Sequence, residues 1–219
     1  MESKKLPTAS PEIAITRATV ADTPAVLALL DTAVKWLAAH NRIGQWGTTP
    51  FSENPQRAER LREFATTGYG LWLAVINPTT TTGNTDDASF NVTPQTTTNR
   101  EDEDEEKEET PGIIIGALAL GEKMPYIPAV PEPELYVRLL VTDRQWAGRS
   151  VGQRLLEHAR GVARRDGISL LRVDCYAGGD GKLVQYYESQ GFERSEWLES
   201  ESGWPCQVLA QRLDGGGRD

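Results

Sequence analysis

The sequence has few of the residues that build metal and disulfide sites: two cysteines and two histidines in 219 residues. Cys175 and Cys206 fit neither a zinc-ligand spacing nor a dense disulfide scaffold, so both read as buried thiols and no metal is expected. No apolar run approaches the roughly 20 residues a membrane span needs. The opening MESKKLPTASPEIAIT lacks the apolar stretch of a secretory leader. Both absences point to a cytoplasmic protein with no membrane partner, where the glycosylation tripeptide at Asn91 carries little meaning. A basic face is missing too. The net charge is −9, but residues 101–109 hold eight acidic residues and one Lys, −7 of that total, leaving −2 for the rest. A nearly neutral body gives no electrostatic footprint for nucleic acid.

The length allows one domain with decoration. Residues 12–18 alternate as a strand. Asp22 and Pro24 then open a helix whose Val26, Leu29, Leu30, Ala33 and Leu37 recur at helical spacing to about His40. After a loop rich in Gly and Trp, Asn54 and Pro55 form a cap and first-turn pair for a helix to about Thr66, followed by a strand over 69–76. Residues 77–111 change to Thr, Asn, Asp and Glu with almost no apolar side chain, which predicts a disordered insertion in a hairpin loop. The pattern resumes with strands over 112–120 and 135–141, and a helix over 151–166 closed by Gly167. A strand over 168–176, a helix over 182–190 closed by Gly191, and strands over 192–198 and 206–213 complete an α/β sheet. Residues 1–11 and 214–219 read as flexible ends of a single domain built from 12–76 and 112–213.

The informative segment is LLVTDRQWAGRSVGQRLL, residues 139–156, where a strand passes through a turn of small residues into an amphipathic helix. The first amides of a helix have no intrahelical partner and sit at the positive end of its dipole, so small side chains there let phosphate approach. Ala147, Gly148, Ser150 and Gly152 supply that smallness. The spacing fits neither a P-loop nor a Rossmann fingerprint. It resembles the pyrophosphate loop of the GNAT superfamily of N-acetyltransferases, Gln or Arg, two residues, Gly, one residue, Gly or Ala, with Ala147 in the first place and Ser150 at the internal Gly. A second segment, DCYAGGDGKLVQYYESQGF, is similar to the family's later motif. Tyr187 is followed after three residues by Gly191 and Phe192, and Asp180 stands where Asn is usual.

The resemblance implies a GNAT fold: a mixed sheet of about six to seven strands, splayed at the CoA-binding strand and flanked by about four helices. It implies an N-acetyltransferase moving acetyl from acetyl-CoA to a primary amine by direct attack. Acetyl-CoA would meet the backbone of Leu139, Leu140 and Val141, the turn from Ala147 and Gly148 through Arg149, Ser150, Val151 and Gly152 to Gln153, and also Asp180 and Tyr187. The Leu139 amide is expected to polarise the thioester carbonyl and Tyr187 to act as general acid. Glu134 and Asp174 both stand as candidate bases. Trp36, Trp46, Phe51 and Trp204 suit the walls of an acceptor site. The expected partner is a small-molecule amine such as an amino sugar, polyamine, amino acid or drug-like amine, with a homodimer open. The rival reading keeps the fold without catalysis, as a CoA-binding or interaction protein working through the acidic insertion.

Overall fold

The computed structural model describes residues 11–77, 112–199 and 203–213. Most of the predicted insertion, residues 78–111, and nearly all of both flexible ends lie outside the described residues. Strands β1 (Ile13–Arg17), β2 (Leu71–Ile76), β3 (Ile113–Gly121), β4 (Glu134–Thr142), β5 (Leu170–Tyr176), β6 (Glu193–Glu199) and β7 (Pro205–Arg212) form one sheet in the order β1-β2-β3-β4-β5-β7-β6. The expected α/β class and strand count are both met. β2 and β3 pair antiparallel with Ile76 opposite Ile113.

Among the described residues four α-helices cover the sheet: α1 (Thr23–Ala39), α2 (Pro55–Thr66), α3 (Val151–Arg165) and α4 (Lys182–Ser189). Buried Leu155, Leu156, Ala159, Val162 and Ala163 of α3 pack with Leu135, Val137, Leu171 and Val173 of the sheet on one face. Val26, Leu29, Leu30 and Ala33 of α1 and Leu61 of α2 pack on the other face against Leu71, Leu73, Ala117, Ala119 and Val141. Each fully buried leucine contributes roughly 2 kcal/mol by area. Gly116 lets α3 settle close, because a Cβ there would stand 2.9 Å from Val151 Cγ1 and 3.1 Å from Leu155 Cδ1.

Local chemistry sets the helix ends. Asn54 Oδ1 accepts from the amides of Gln56 (3.1 Å) and Arg57 (3.2 Å), as its place before Pro55 predicts. Gly167 and Gly191 follow α3 and α4 with φ of +70° and +86°. Asp22 precedes α1, yet its carboxylate turns back to accept from the Thr19 amide (2.8 Å) and hydroxyl (2.9 Å). It serves the short 3-10 turn ahead of the helix rather than α1 itself.

One feature of the sheet creates the site. Among the described residues β4 and β5 are the only parallel neighbours, and they pair only from Glu134 opposite Leu170 to Val137 opposite Val173. Beyond that point β4 stays with β3 while β5 stays with β7, so the strands part. A bulge lies at the parting, where Ala119 faces Leu139 but Leu120 faces Val137. Arg138 is the extra residue, and it shifts the side-chain alternation by one.

Candidate active site

Two cavities, of about 450 and 530 Å³, open along the parted strands. The larger runs beside the start of α3 and is lined by Val141, Thr142, Ala147, Gly148, Ser150, Val151, Gly152 and Gln153, with Lys182 and Tyr186 of α4 across it. The smaller is walled by Trp46, Phe51, Phe64, Tyr126, Asp174 and Trp204. Leu140, Leu183, Tyr187, Gln45 and Trp46 line both, so the cavities share a common boundary.

The larger cavity is shaped for an anion at its α3 end. The Arg154 amide makes the bond to Ser150 O (3.0 Å) that starts the helix, and the amides before it have no intrahelical acceptor. Gly152 keeps the first turn open, since a Cβ there would meet the Tyr186 hydroxyl at 2.3 Å. Gly148 has φ +79°, and Ser150, ahead of the helix, has φ +57°. That left-handed conformation suits glycine and strains serine. Ser150→Gly is therefore expected to stabilise the protein by about 0.5 kcal/mol in urea unfolding.

The GNAT acetyltransferase family model matches residues 83–192, half of the chain. The chain belongs to the GNAT acetyltransferase family. It is accordingly an acyltransferase, and the family's donor is acetyl-CoA. None of the curated proteins matches it in sequence. Among solved structures, the ribosomal-protein-alanine N-acetyltransferase from Brucella melitensis is 20% identical over 91% of this chain and 99% of its own, with a TM-score of 0.55. The yncA protein from Salmonella typhimurium, solved with its cofactor acetyl-CoA, is 15% identical over 94% of this chain and 98% of its own, with a TM-score of 0.54. A chain of the NatC complex bound to Gag peptide and CoA is 13% identical over 92% and 99%, with a TM-score of 0.53. At such identities the likeness is one of fold.

Within this GNAT fold the bulge decides what each residue of β4 does. Arg138 and Leu139 both turn to the smaller cavity, whereas Leu140 packs toward the α3 side. The ladder also corrects the expected amide. Asp143 N–H bonds Ile115 O (2.9 Å) and Leu120 N–H bonds Gly70 O on the β2 side (3.0 Å), so Ile115, Ala117 and Ala119 direct their backbone groups to β4. Leu139 and Val141 opposite them therefore turn their N–H groups to β3 and away from the opening. The amides of Leu140 and Thr142 face the opening instead.

Tyr187 lies where the cavities meet, 5% exposed, packed edge-on against Tyr186 and Phe192. Burial pushes its phenol well above the ordinary value, with Cys175 and Tyr186 adding to it, so it keeps its proton at neutral pH. Asp174 lines the smaller cavity and accepts from the hydroxyls of Tyr126 (2.9 Å) and Tyr136 (3.0 Å). Burial first, then Asp174, raises both phenols, which therefore remain donors. Cys175 lines the same wall, and burial together with Asp174 pushes its thiol up to about 12. It offers no thiolate for an acyl-enzyme at neutral pH.

Several expected residues stand elsewhere. Glu134 lines neither cavity; it pairs at 2.8 Å with Arg172, whose side chain is 1% exposed, and this buried cation explains the carboxylate. Asp180 pairs with Arg42 (2.7 Å) and Lys182 (3.1 Å) and accepts from the Lys182 amide (3.2 Å), outside the larger cavity. The Lys182 hydrogen bond, with Arg42 nearby, holds its carboxyl below the ordinary value. Trp36 does not line the smaller cavity. It stacks on His40 at 4.1 Å and carries the Arg144 guanidinium 4.2 Å over its ring. Arg149 is exposed in the turn and does not line the larger cavity. Trp46, Phe51 and Trp204 do wall the smaller one, and Trp204 Nε1 donates to Gly44 O (2.8 Å).

Sequence reasoning missed Arg42 and Arg144, which line the larger cavity, and Arg57, Arg60 and Arg138, which line the smaller. Arg57 and Arg60 share a helix face by their spacing of three, but on so polar a helix that spacing reads as a solvated surface.

Proposed function

We propose that the protein transfers the acetyl group of acetyl-CoA to the primary amine of a small molecule by direct attack on the thioester. The observation that carries this reading is the pair of cavities meeting at Leu140 and Tyr187: one has an anion-binding helix start, the other aromatic walls and a carboxylate. Acetyl-CoA occupies the larger, with its pyrophosphate on the amides of Val151, Gly152 and Gln153 and its charge also met by Arg42, Arg144 and Lys182. The acceptor occupies the smaller, between Trp46, Phe51 and Trp204.

Each chemical task has a group suited to it. The Leu140 N–H faces the opening and stabilises negative charge on the thioester oxygen as the amine attacks. Asp174, an acceptor already oriented by two phenols, takes a proton from the amine directly or through water. Tyr187 holds its proton beside the junction and delivers it to the departing thiolate. Asp174→Asn is expected to lower kcat about tenfold at pH 7, with part of the loss recovered at higher pH because the acceptor then loses its proton to solvent. An unchanged rate across the pH range removes Asp174 from the chemistry.

The test is thiol release from acetyl-CoA with a panel of amines: glucosamine, spermidine, L-methionine and 2-aminoethylphosphonate. Amine-dependent release matched by an N-acetylated product supports the reading. Acetyl-CoA binding without release for any of them leaves the non-catalytic reading in its place.

A further inference from the structure

We infer that the acceptor carries an anionic oxo-acid group, a carboxylate or phosphonate, beside its amine. This rests on the acetyl-transfer reading above and names the substrate class of the same site. Three arginines line the acceptor cavity: Arg57 and Arg60 from α2 and Arg138 from the bulge of β4. Among the described residues none of the three forms an ion pair, although Arg42, Arg160, Arg172, Arg194 and Arg212 all do; Arg60 is exposed at the rim, while Arg57 and Arg138 are half-buried. Arg57 Nη1 and Arg138 Nε are buried and meet no hydrogen-bond acceptor among the described residues. Buried donors are ordinarily satisfied, so donors left open on a cavity wall mark a place where a ligand supplies the acceptor.

The surroundings fix these cations without neutralising them. The Arg57 guanidinium sits 4.5 Å over the Phe51 ring and Arg138 5.0 Å over Phe64, which holds their planar forks in place. Burial first, then repulsion from Arg60, lowers the Arg138 pKa, the mark of a cation lacking its counter-ion. Glu63 and Glu122 act on Arg138 from a distance, but both are exposed, pair with neither it nor its neighbours, and line no part of the cavity. Asp174 does line the cavity, on the β5 wall, and its oxygens already accept from Tyr126 and Tyr136. Three cations on the α2 and bulge walls against one carboxylate on the β5 wall match an ammonium group and an anion on one small molecule. The same arrangement repels a polyamine, whose remaining ammonium groups would face the arginines. Aromatic walls at Trp46, Phe51 and Trp204 leave room for an apolar side chain between the two charges.

The experiment compares matched acceptors on the full chain: L-phenylalanine against 2-phenylethylamine, L-methionine against L-methioninamide, and 2-aminoethylphosphonate against ethanolamine. Thiol release is followed for each, and acetyl-CoA binding is measured separately by calorimetry. The expected result is kcat/KM about 100-fold higher for at least one acid than for its neutral partner, because a site built to hydrogen-bond a group rejects the analogue lacking it. The carboxylate and phosphonate pairs separate the two kinds of anion. Arg60→Gln and Arg138→Gln should each raise KM for the preferred acid about tenfold and shrink its kcat/KM advantage over the neutral partner. Equal turnover of acids and neutral partners, or turnover of neutral amines alone, overturns the anion inference and leaves acetyl transfer standing. Acetyl-CoA binding with no thiol release from any member overturns the acetyl-transfer reading and the inference with it.

Discussion

Tyr187→Phe is expected to lower kcat about 100-fold while leaving the acetyl-CoA dissociation constant within a factor of two, the loss that removing a positioned general acid brings. The substitution deletes one oxygen from a side chain that is 5% exposed, and the ring keeps its edge-on contacts with Tyr186 and Phe192. Packing therefore survives, and a rate effect of this size reports on the hydroxyl. Burial holds the phenol protonated well above neutrality, so Tyr187 should impose no alkaline limb on the wild-type rate below pH 10. Pre-steady-state measurement of thiol release against product release checks the assignment. A Phe variant within threefold of wild type would make Tyr187 a wall of the junction rather than its acid.

The second large effect falls on stability. Arg172 lies on β5 with its side chain 1% exposed, donating to Glu134 (2.8 Å), Glu196 (3.1 Å) and Pro128 O (3.1 Å). Arg172→Leu removes the cation and leaves the 13%-exposed Glu134 without a counter-charge. Breaking such a buried pair from one side costs about 3 kcal/mol or more, which urea unfolding reads as a lower midpoint with little change in slope. Glu134→Gln keeps the volume and one acceptor and should cost less, about 1–2 kcal/mol, with kcat unchanged. That pairing of results separates Glu134 from the chemistry, where its position at the head of β4 first placed it. A Glu134→Gln enzyme with tenfold lower kcat would return the carboxylate to the list of bases.

The elements were legible because their signals are local. Asn54 before Pro55, the helical spacing of Val26 to Leu37 and the glycines at 167 and 191 each specify an element without reference to the rest of the chain. The turn from Ala147 to Gln153 was legible for the same reason, since a helix start needs only small residues in sequence. What escaped depends on pairing between strands. The bulge at Arg138 has no sequence signature, yet it moves the outward amide from Leu139 to Leu140 and turns Arg138 to the smaller cavity. Glu134 and Asp174 sit on neighbouring strands and look alike as candidates; only the ladder shows that the first lies where β4 and β5 are still joined and the second where they have parted. Trp36 and Asp180 were misplaced because their partners, Arg144 and Arg42, come from segments distant in sequence.

Acetyl-CoA is expected in the cleft between the parted strands with its pyrophosphate on the start of α3. Calorimetric titration with acetyl-CoA of the wild-type protein and of Gly152→Val tests it most directly, because a side chain at 152 must enter the space now shared by the Tyr186 hydroxyl and the open helix amides. Saturable one-to-one binding by the wild type, weakened at least 30-fold in a folded variant, is the result expected from the loss of charge-assisted contacts worth roughly 2 kcal/mol. Equal affinity in both proteins would place the cofactor elsewhere than on the start of α3.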